Sequence, residues 1–153
     1  KGKPRWSKPK PFKWDYTQFG KTNVAPASPD ETIEMTIEKQ NGAINGFNQW
    51  TLNGEAFSME TMKPTYTVHE GQRYRLKFRN ASDDVHPLHL HRHSFELVRI
   101  GKPTAGVIKD VVMLGGFQEE EFDFVADNPG MTLFHCHQQL HMDFGFMALF
   151  NYA

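Results

Sequence analysis

Cysteine is nearly absent from this chain of 153 residues, in which Cys136 is the only one. No disulfide can form within the chain, so bridges give no indication of the redox compartment. Apolar runs long enough to cross a bilayer are also missing, and we expect no membrane span. The sequence begins without Met and without the apolar core of a signal peptide. We therefore expect it to be processed or excised from something longer.

Acidic residues are absent from the first 14 positions, which hold six of the 17 basic residues. Residues 1–30 are also rich in proline and show no sustained periodicity, which predicts an arm or interdomain linker. Its aromatic residues, Trp6, Trp14, Tyr16 and Phe19, can dock onto a neighbour. A basic arm can bind nucleic acid or an acidic protein surface. We favour a solvated linker and expect no nucleic-acid partner.

Residues 31–153 are predicted to form one folded domain, since hydrophobic residues make up 39% of the chain and include 13 Phe. At 32–39, apolar and polar residues alternate as in a half-buried strand. Short strands are predicted at 32–39, 47–52, 65–69, 73–79, 95–100, 107–114, 121–125, 131–135 and 146–152. Asn-Gly pairs at Asn41, Asn45 and Asn53 favour tight turns. This spacing predicts an all-β, antiparallel Greek-key β-sandwich.

Histidine is concentrated around the single cysteine, because six of the eight histidines lie in two short motifs. These six are His86, His89, His91, His135, His137 and His141. On a strand, successive side chains point to opposite faces, so His135 and His137 share one face and Cys136 takes the other. His141, five residues after the cysteine, can return in a loop to the same metal as Cys136.

The upstream motif follows the same parity. His89 and His91 share a face, whereas His86 is offset by an odd number of residues, with Pro87 allowing a turn between them. The pattern predicts two sites: a cysteine site (His86, Cys136, His141) and a histidine cluster (His89, His91, His135, His137). One thiolate with two imidazoles suits a trigonal copper site for electron transfer. Zinc is disfavoured, because structural zinc sites favour several cysteines or paired cysteine and histidine.

The two motifs resemble the paired copper signatures in the last domain of multicopper oxidases of the laccase-like kind. The resemblance covers residues from about 30 to 153 and includes Gly-Phe-Asn-Gln-Trp at 46–50 and Lys-Asp at 109–110. It implies a cupredoxin-like sandwich, a periplasmic or extracellular location, and three kinds of copper. The implied ligands are His86, Cys136 and His141 for type 1, His89 for type 2, and His91, His135 and His137 for the type 3 pair.

The resemblance also implies a chemistry. Type 1 copper would take single electrons from a phenol, an aromatic amine or a metal ion. These would pass through Cys136 to His135 and His137, into a trinuclear cluster that reduces O2 to water. At the axial position, often Met or Leu in the family, stands Phe146. A phenyl ring cannot ligate copper, so a three-coordinate site with a raised potential is expected.

Half of the expected cluster ligands are missing. In the family an earlier domain supplies two more His-x-His pairs, whereas His69 and His93 here are isolated. The implied partner is the N-terminal cupredoxin part of the same oxidase, as a cleaved chain, a separate subunit or a linked domain. Alternatives are a stand-alone cupredoxin electron carrier, a protein like copper nitrite reductase, and a copper-storage module. The carrier leaves the histidine cluster unexplained, and the paired His-x-His units favour the three-copper cluster over the reductase.

Several acids near the motifs could orient ligand imidazoles by accepting a ring N–H. These are Asp83, Asp84, Asp110 and Asp143. The competing interpretation of each is a solvated loop acid or turn former.

Overall fold

The computed structural model of the chain describes residues 2, 7–8, 10–11, 13, 15–21 and 24–153. Strands dominate this part of the chain. They are β1 (Glu31–Ile44), β2 (Phe47–Leu52), β3 (Tyr66–Val68), β4 (Arg73–Asn80), β5 (His86–Leu90), β6 (Phe95–Ile100), β7 (Lys102–Pro103), β8 (Ile108–Lys109), β9 (Val111–Leu114), β10 (Glu119–Val125), β11 (Thr132–Cys136) and β12 (Met147–Tyr152). A 3-10 helix spans Tyr16–Phe19, and the short helix α1 spans Gln139–Asp143.

The strands form two sheets. The first has seven strands in the order β2-β1-β4-β10-β6-β7, with β8 also pairing with β6. The second has five strands in the order β3-β12-β11-β5-β9. Most pairs are antiparallel, but β1 with β4 and β12 with β3 are parallel. The second sheet carries both histidine motifs, which begin on its neighbouring strands β5 and β11.

Alternation along the strands explains the core. On β1 the side chains of Ile33, Met35 and Ile37 are buried while their neighbours face outward. Phenylalanines from both sheets fill the interior, as in the stacked rings of Phe78 and Phe134, whose centroids lie 5.5 Å apart. The arrangement confirms the predicted all-β sandwich. Each sheet has one apolar face, and the two sheets bury these faces against each other.

Three segments differ from the strand predictions. The first, predicted at 32–39, continues to Ile44 and includes the Asn-Gly pair at Asn41, where a tight turn was expected. The stretch 107–114 is not one strand: β8 pairs with β6 in the first sheet, while β9 pairs with β5 in the second. The chain crosses between the sheets at Asp110, where Lys109 and Asp110 interrupt the apolar pattern. The stretch His86–Leu90, where we expected a turn at Pro87, is the regular strand β5. The carbonyl of Pro87 accepts a hydrogen bond from the backbone N–H of His137, at 2.7 Å.

The described part of the N-terminal segment contacts the sandwich. Asp15 caps the 3-10 helix and forms a 2.8 Å ion pair with Lys102, and the backbone N–H of Lys21 donates to the carbonyl of Ala105. The ammonium of Lys109 lies 3.9 Å from the ring centroid of Tyr16. Trp6 and Trp14, expected to dock onto a neighbour, lie outside the described residues. The division at residue 30 stays a prediction.

Candidate metal centre

The two histidine motifs meet side by side on neighbouring strands. On β5, burial alternates so that His86, Leu88 and Leu90 face the interior and His89 faces outward. The antiparallel register places His135 of β11 opposite His89. One sheet therefore presents donors on both of its faces, as the parity of the spacing predicts.

The cysteine site is assembled on the inner face. The sulfur of Cys136 lies 3.7 Å from Nδ1 of His86 and 3.6 Å from Nδ1 of His141, and the two nitrogens are 3.1 Å apart. His141 reaches this point from α1, directly after β11. All three side chains are buried, with residue exposures of 0%, 0% and 6% for His86, Cys136 and His141. Donor atoms that converge within 4.8 Å of one another can all bind a single ion.

Burial sets the protonation of these donors. It lowers the pKa of His86 to about 4, with the nearby His141 adding to the effect, and lowers the pKa of His141. Both imidazoles are therefore neutral at pH 7 and ready to ligate. Burial raises the pKa of the Cys136 thiol to about 11. The thiol must release its proton to solvent when a cation binds the sulfur, so we expect metal binding to release protons.

The histidine cluster lies on the outer face of the same sheet. Nε2 of His91 and Nε2 of His135 are 3.0 Å apart, and the donor atoms of His89, His91 and His135 lie within 4.8 Å of one another. His137 stands beside this trio, with its ring centroid 5.2 Å from that of His135 and 5.4 Å from that of His89. Burial lowers the pKa of His91 and of His135. His91 and His137 are exposed, so the cluster opens outward.

Phe146 lies next to the cysteine site. The ring is fully buried, and its centroid is 4.9 Å from that of the His86 imidazole. The backbone of Phe146 ties the site together: its N–H donates to the carbonyl of His141 at 2.9 Å, and its carbonyl accepts from the N–H of Cys136 at 3.2 Å. The side chain of Phe146 thus forms an apolar wall of the site and offers no atom that can ligate a metal.

The ring nitrogens that face away from each site have other partners than the predicted carboxylates. Nδ1 of His89 hydrogen-bonds to the carbonyl of Asp110 at 2.8 Å, and Nδ1 of His135 to the carbonyl of Cys136 at 2.9 Å. Nε2 of His86 lies 3.2 Å from the hydroxyl of Ser82. Asp110 therefore contributes a backbone oxygen in place of its side chain.

The other three acids bond elsewhere. The carboxylates of Asp83, Asp84 and Asp143 accept hydrogen bonds from Lys39, Trp50 and Gln139 respectively. Ser82 and Trp50 are neighbours of the site that sequence reasoning missed. One feature of the sequence pointed to Trp50: it is the last residue of the segment 46–50, which is part of the family resemblance.

The two remaining histidines stand apart from both donor sets. His93 is buried, with Nδ1 2.9 Å from the carbonyl of His91 and Nε2 2.6 Å from the hydroxyl of Tyr152. It supports the backbone of the histidine cluster. His69 is exposed and near the end of β3.

Comparison with known proteins identifies the family. The family model described as multicopper oxidase matches residues 26–153, which include every donor of both sets. The chain belongs to the multicopper oxidase family. Copper is the metal of this family, and the cysteine site fits a type 1 copper: one cysteine sulfur and two imidazoles converge there, beside a wall that carries no metal ligand.

Similar proteins agree with this membership. The chain is 33% identical over 138 residues to the multicopper oxidase MmcO of Mycobacterium tuberculosis, covering 90% of this chain and 26% of that protein. It is 29% identical over 146 residues to laccase-4 of Trametes villosa, covering 92% of this chain and 26% of the laccase. The chain thus spans about a quarter of the length of these relatives.

Solved structures show the same fold. The chain superposes on a multicopper oxidase from Pseudomonas thermotolerans with a TM-score of 0.64 and 29% identity, covering 84% of this chain and 32% of that one. On Fet3p, a multicopper oxidase that functions in iron import, the TM-score is 0.74 with 17% identity, covering 97% and 37%. The cupredoxin-like sandwich is confirmed. Among the described residues, no helix combines the length and apolar character that a membrane crossing requires.

Proposed function

We propose that this chain is the copper-binding oxidoreductase domain of a laccase-like multicopper oxidase. In this proposal the cysteine site holds a type 1 copper and the histidine cluster holds half of a trinuclear copper centre. His89 would serve the type 2 copper, and His91, His135 and His137 the type 3 pair. Copper, when bound, supplies one-electron transfer and the reduction of O2 by four electrons and four protons to two waters.

The position of Cys136 between the two donor sets carries the proposal. Its sulfur belongs to the buried site, while the residues on either side of it, His135 and His137, point to the opposite face. Two peptide units therefore link the thiolate to two imidazoles of the cluster. A covalent path this short suits electron transfer between sites that are otherwise separated by the thickness of a sheet.

The protein's own residues control access in this scheme. The three donors of the cysteine site are buried, so a reductant does not contact the metal directly and electrons enter through a ligand or its neighbours. The proposed reductant is a phenol, an aromatic amine or a low-valent metal ion. We also propose a periplasmic or extracellular location, as the resemblance to laccases implies.

The histidine cluster needs a partner in this scheme. Its open side faces away from the sandwich, so the opposing ligands have to come from another polypeptide segment. We propose that N-terminal cupredoxin domains of the same oxidase supply them, on a linked, cleaved or separate chain. Relatives that are about four times longer than the matched region leave room for such domains.

Two other functions explain less of the site. A stand-alone cupredoxin electron carrier requires only the cysteine site and gives no reason for imidazoles within 3.0 Å of each other on the opposite face. A protein like copper nitrite reductase also joins a type 1 site to a second copper, but it does not require two paired His-x-His units.

The test is optical. Copper-loaded protein is expected to absorb intensely at roughly 600 nm, where Cu–thiolate sites absorb. Cys136→Ser should abolish the band while the fold survives, as judged by circular dichroism. A colourless Cu(II) form with unmodified Cys136 would contradict the type 1 assignment.

A further inference from the structure

An indole ring covers one ligand of the cysteine site. Trp50 lies on β2 with 3% of its surface exposed, and its ring stacks on the imidazole of His141. The ring centroids are 3.9 Å apart and the planes differ by 21°. The backbone of Trp50 is held as well, because its N–H donates to the carbonyl of Phe144 at 3.0 Å, in the same loop as His141.

The indole is in turn fixed by a carboxylate. Its Nε1–H donates to Oδ2 of Asp84 at 3.0 Å, and the same oxygen lies 3.3 Å from Nζ of Lys39. A hydrogen bond to an ionised acceptor is stronger and more directional than a neutral one. Rotation of the indole away from His141 would leave a buried N–H without its partner, which is costly. The stack is therefore held in one geometry.

The loop between β4 and β5, which holds Asp84, also reaches the second imidazole of the cysteine site. Asp84 accepts a hydrogen bond at its backbone carbonyl from Nδ2 of Asn80, at 2.8 Å. Oδ1 of Asn80 accepts from the hydroxyl of Ser82 at 2.8 Å, and that hydroxyl lies 3.2 Å from Nε2 of His86. One contiguous set of contacts thus runs from the face of the His141 ring to the distal nitrogen of His86.

We propose that Trp50 and Asp84 are positioning residues of the type 1 copper site. They fix the planes of the His141 and His86 imidazoles relative to the sulfur of Cys136 before the metal binds. This inference rests on the proposed copper function. It matters because His141 sits on a helix of only five residues, which by itself holds the direction of a side chain loosely. A preformed donor geometry raises affinity and restricts rearrangement when the oxidation state changes.

The test compares variants that break the hydrogen bond between the Trp50 indole and the Asp84 carboxylate with a variant that preserves an acceptor for it. Trp50→Phe keeps a ring against His141 but removes the N–H, and Asp84→Ala removes the acceptor. Each should lower the affinity for Cu(I), measured by competition with a chromogenic chelator, by about 10- to 100-fold, as losses around metal ligands usually do. Asp84→Asn retains an acceptor and should restore most of the affinity. The double variant should be no weaker than the weaker single variant, since both changes break one bond.

Spectra separate positioning from general destabilisation. In Trp50→Phe the remaining Cu–thiolate band should shift and its Cu(II) magnetic resonance parameters should change. The matched control, Phe95→Leu, truncates a fully buried aromatic residue on β6 in the other sheet. It should lower the unfolding temperature and leave both the spectrum and the Cu(I) affinity unchanged.

The outcomes are distinguishable. If the wild-type chain forms no Cu–thiolate band, the proposed function fails. If the wild type forms the band but Trp50→Phe and Asp84→Ala bind Cu(I) with unchanged affinity and spectrum, the positioning role is wrong. Additive losses in the double variant would also overturn it, since they would mean that the two side chains act separately.

Discussion

At the scale of single residues, Phe146 decides how many donors the cysteine site offers. Its ring is buried against the His86 imidazole, and a phenyl group has no lone pair for a metal. The absence of a thioether at this point disfavours Cu(II) relative to Cu(I), because the oxidised ion gains more from an additional ligand. We therefore expect a copper ion bound at this site to have a high reduction potential.

The corresponding prediction is that Phe146→Met lowers the reduction potential of the type 1 site, measured by titration with redox dyes. Methionine restores a weak axial donor that stabilises Cu(II). Phe150→Met is the matched control, since Phe150 is equally buried but belongs to the aromatic core; its potential should match the wild type. An unchanged or higher potential in Phe146→Met, with the blue band retained, would show that residue 146 is not axial.

Glu120 is a second residue whose environment has a measurable consequence. It is 3% exposed, and its Oε2 has no hydrogen-bond partner within the described part of the chain. Burial raises its pKa to about 8, from an ordinary value of 4.5. The folded state therefore retains a proton that the unfolded state loses between these two values.

We predict that the contribution of Glu120 to the unfolding free energy falls as pH rises from 4.5 to about 8. A group whose folded pKa is raised contributes its full stability below the unfolded pKa and loses it up to the folded pKa. The slope from this one group is at most about 1.4 kcal/mol per pH unit. Glu120→Gln, which keeps the shape without the charge, should remove that part of the slope in urea titrations of the metal-free protein. Identical slopes in the variant and the wild type would rule out the effect.

At the scale of elements, the loop from β11 through α1 to β12 brings His141 back to Cys136. Gly145, near the end of this loop, has a φ of +106° and packs against β2. A Cβ at this position would lie 2.7 Å from the carbonyl oxygen of Trp50 and 2.9 Å from Cβ of Ala56. The loop therefore docks closely enough that only glycine fits.

Gly145→Ala is expected to destabilise the fold by roughly 1–3 kcal/mol from backbone conformation alone, and the clash adds to this. Because the loop must move, the Cu–thiolate band should weaken in parallel. Gly42→Ala is the control, since Gly42 also has a positive φ, +64°, but open space around it. It should cost about 1–2 kcal/mol and leave the band intact. Equal effects of the two substitutions on the band would contradict close docking of the loop.

At the scale of the whole molecule, the histidine cluster presents one side of the proposed trinuclear centre. The described structure holds no second set of paired histidines, since His69 is exposed and His93 is bonded to Tyr152. A symmetric dimer could pool the same four histidines from each copy. The proposed pairing with N-terminal domains of the same oxidase requires a different partner, and relatives about four times longer than the matched region leave room for one.

The chain by itself is therefore expected to bind one copper firmly and to reduce O2 to water only poorly. The firm site has all three of its donors in this chain, whereas the cluster lacks opposing ligands. Metal analysis and oxygen uptake on the purified chain, with and without the partner segment, measure both quantities. Complete copper loading with rapid four-electron reduction of O2, in a sample free of other polypeptides, would overturn this expectation.

The sequence by itself determined the division of seven donors into two sets. Alternation along a strand is a local property of the backbone. It places His135 and His137 on one face, Cys136 between them on the other, and His86 opposite His89, from which it is three residues away, without any tertiary information. The strands Phe47–Leu52 and Phe95–Ile100 matched their predicted bounds, which turn signals on either side had marked.

Only the tertiary structure decided what surrounds those donors. The break at Asp110, the stack of Trp50 on His141 and the contact of Ser82 with His86 all depend on which strands and loops become neighbours. Such contacts join residues that are distant along the chain or lie in irregular turns, where no repeating backbone geometry relates spacing to direction. Local alternation assigns each ligand to a face of the sheet, whereas long-range packing selects the groups that hold the ligand in place.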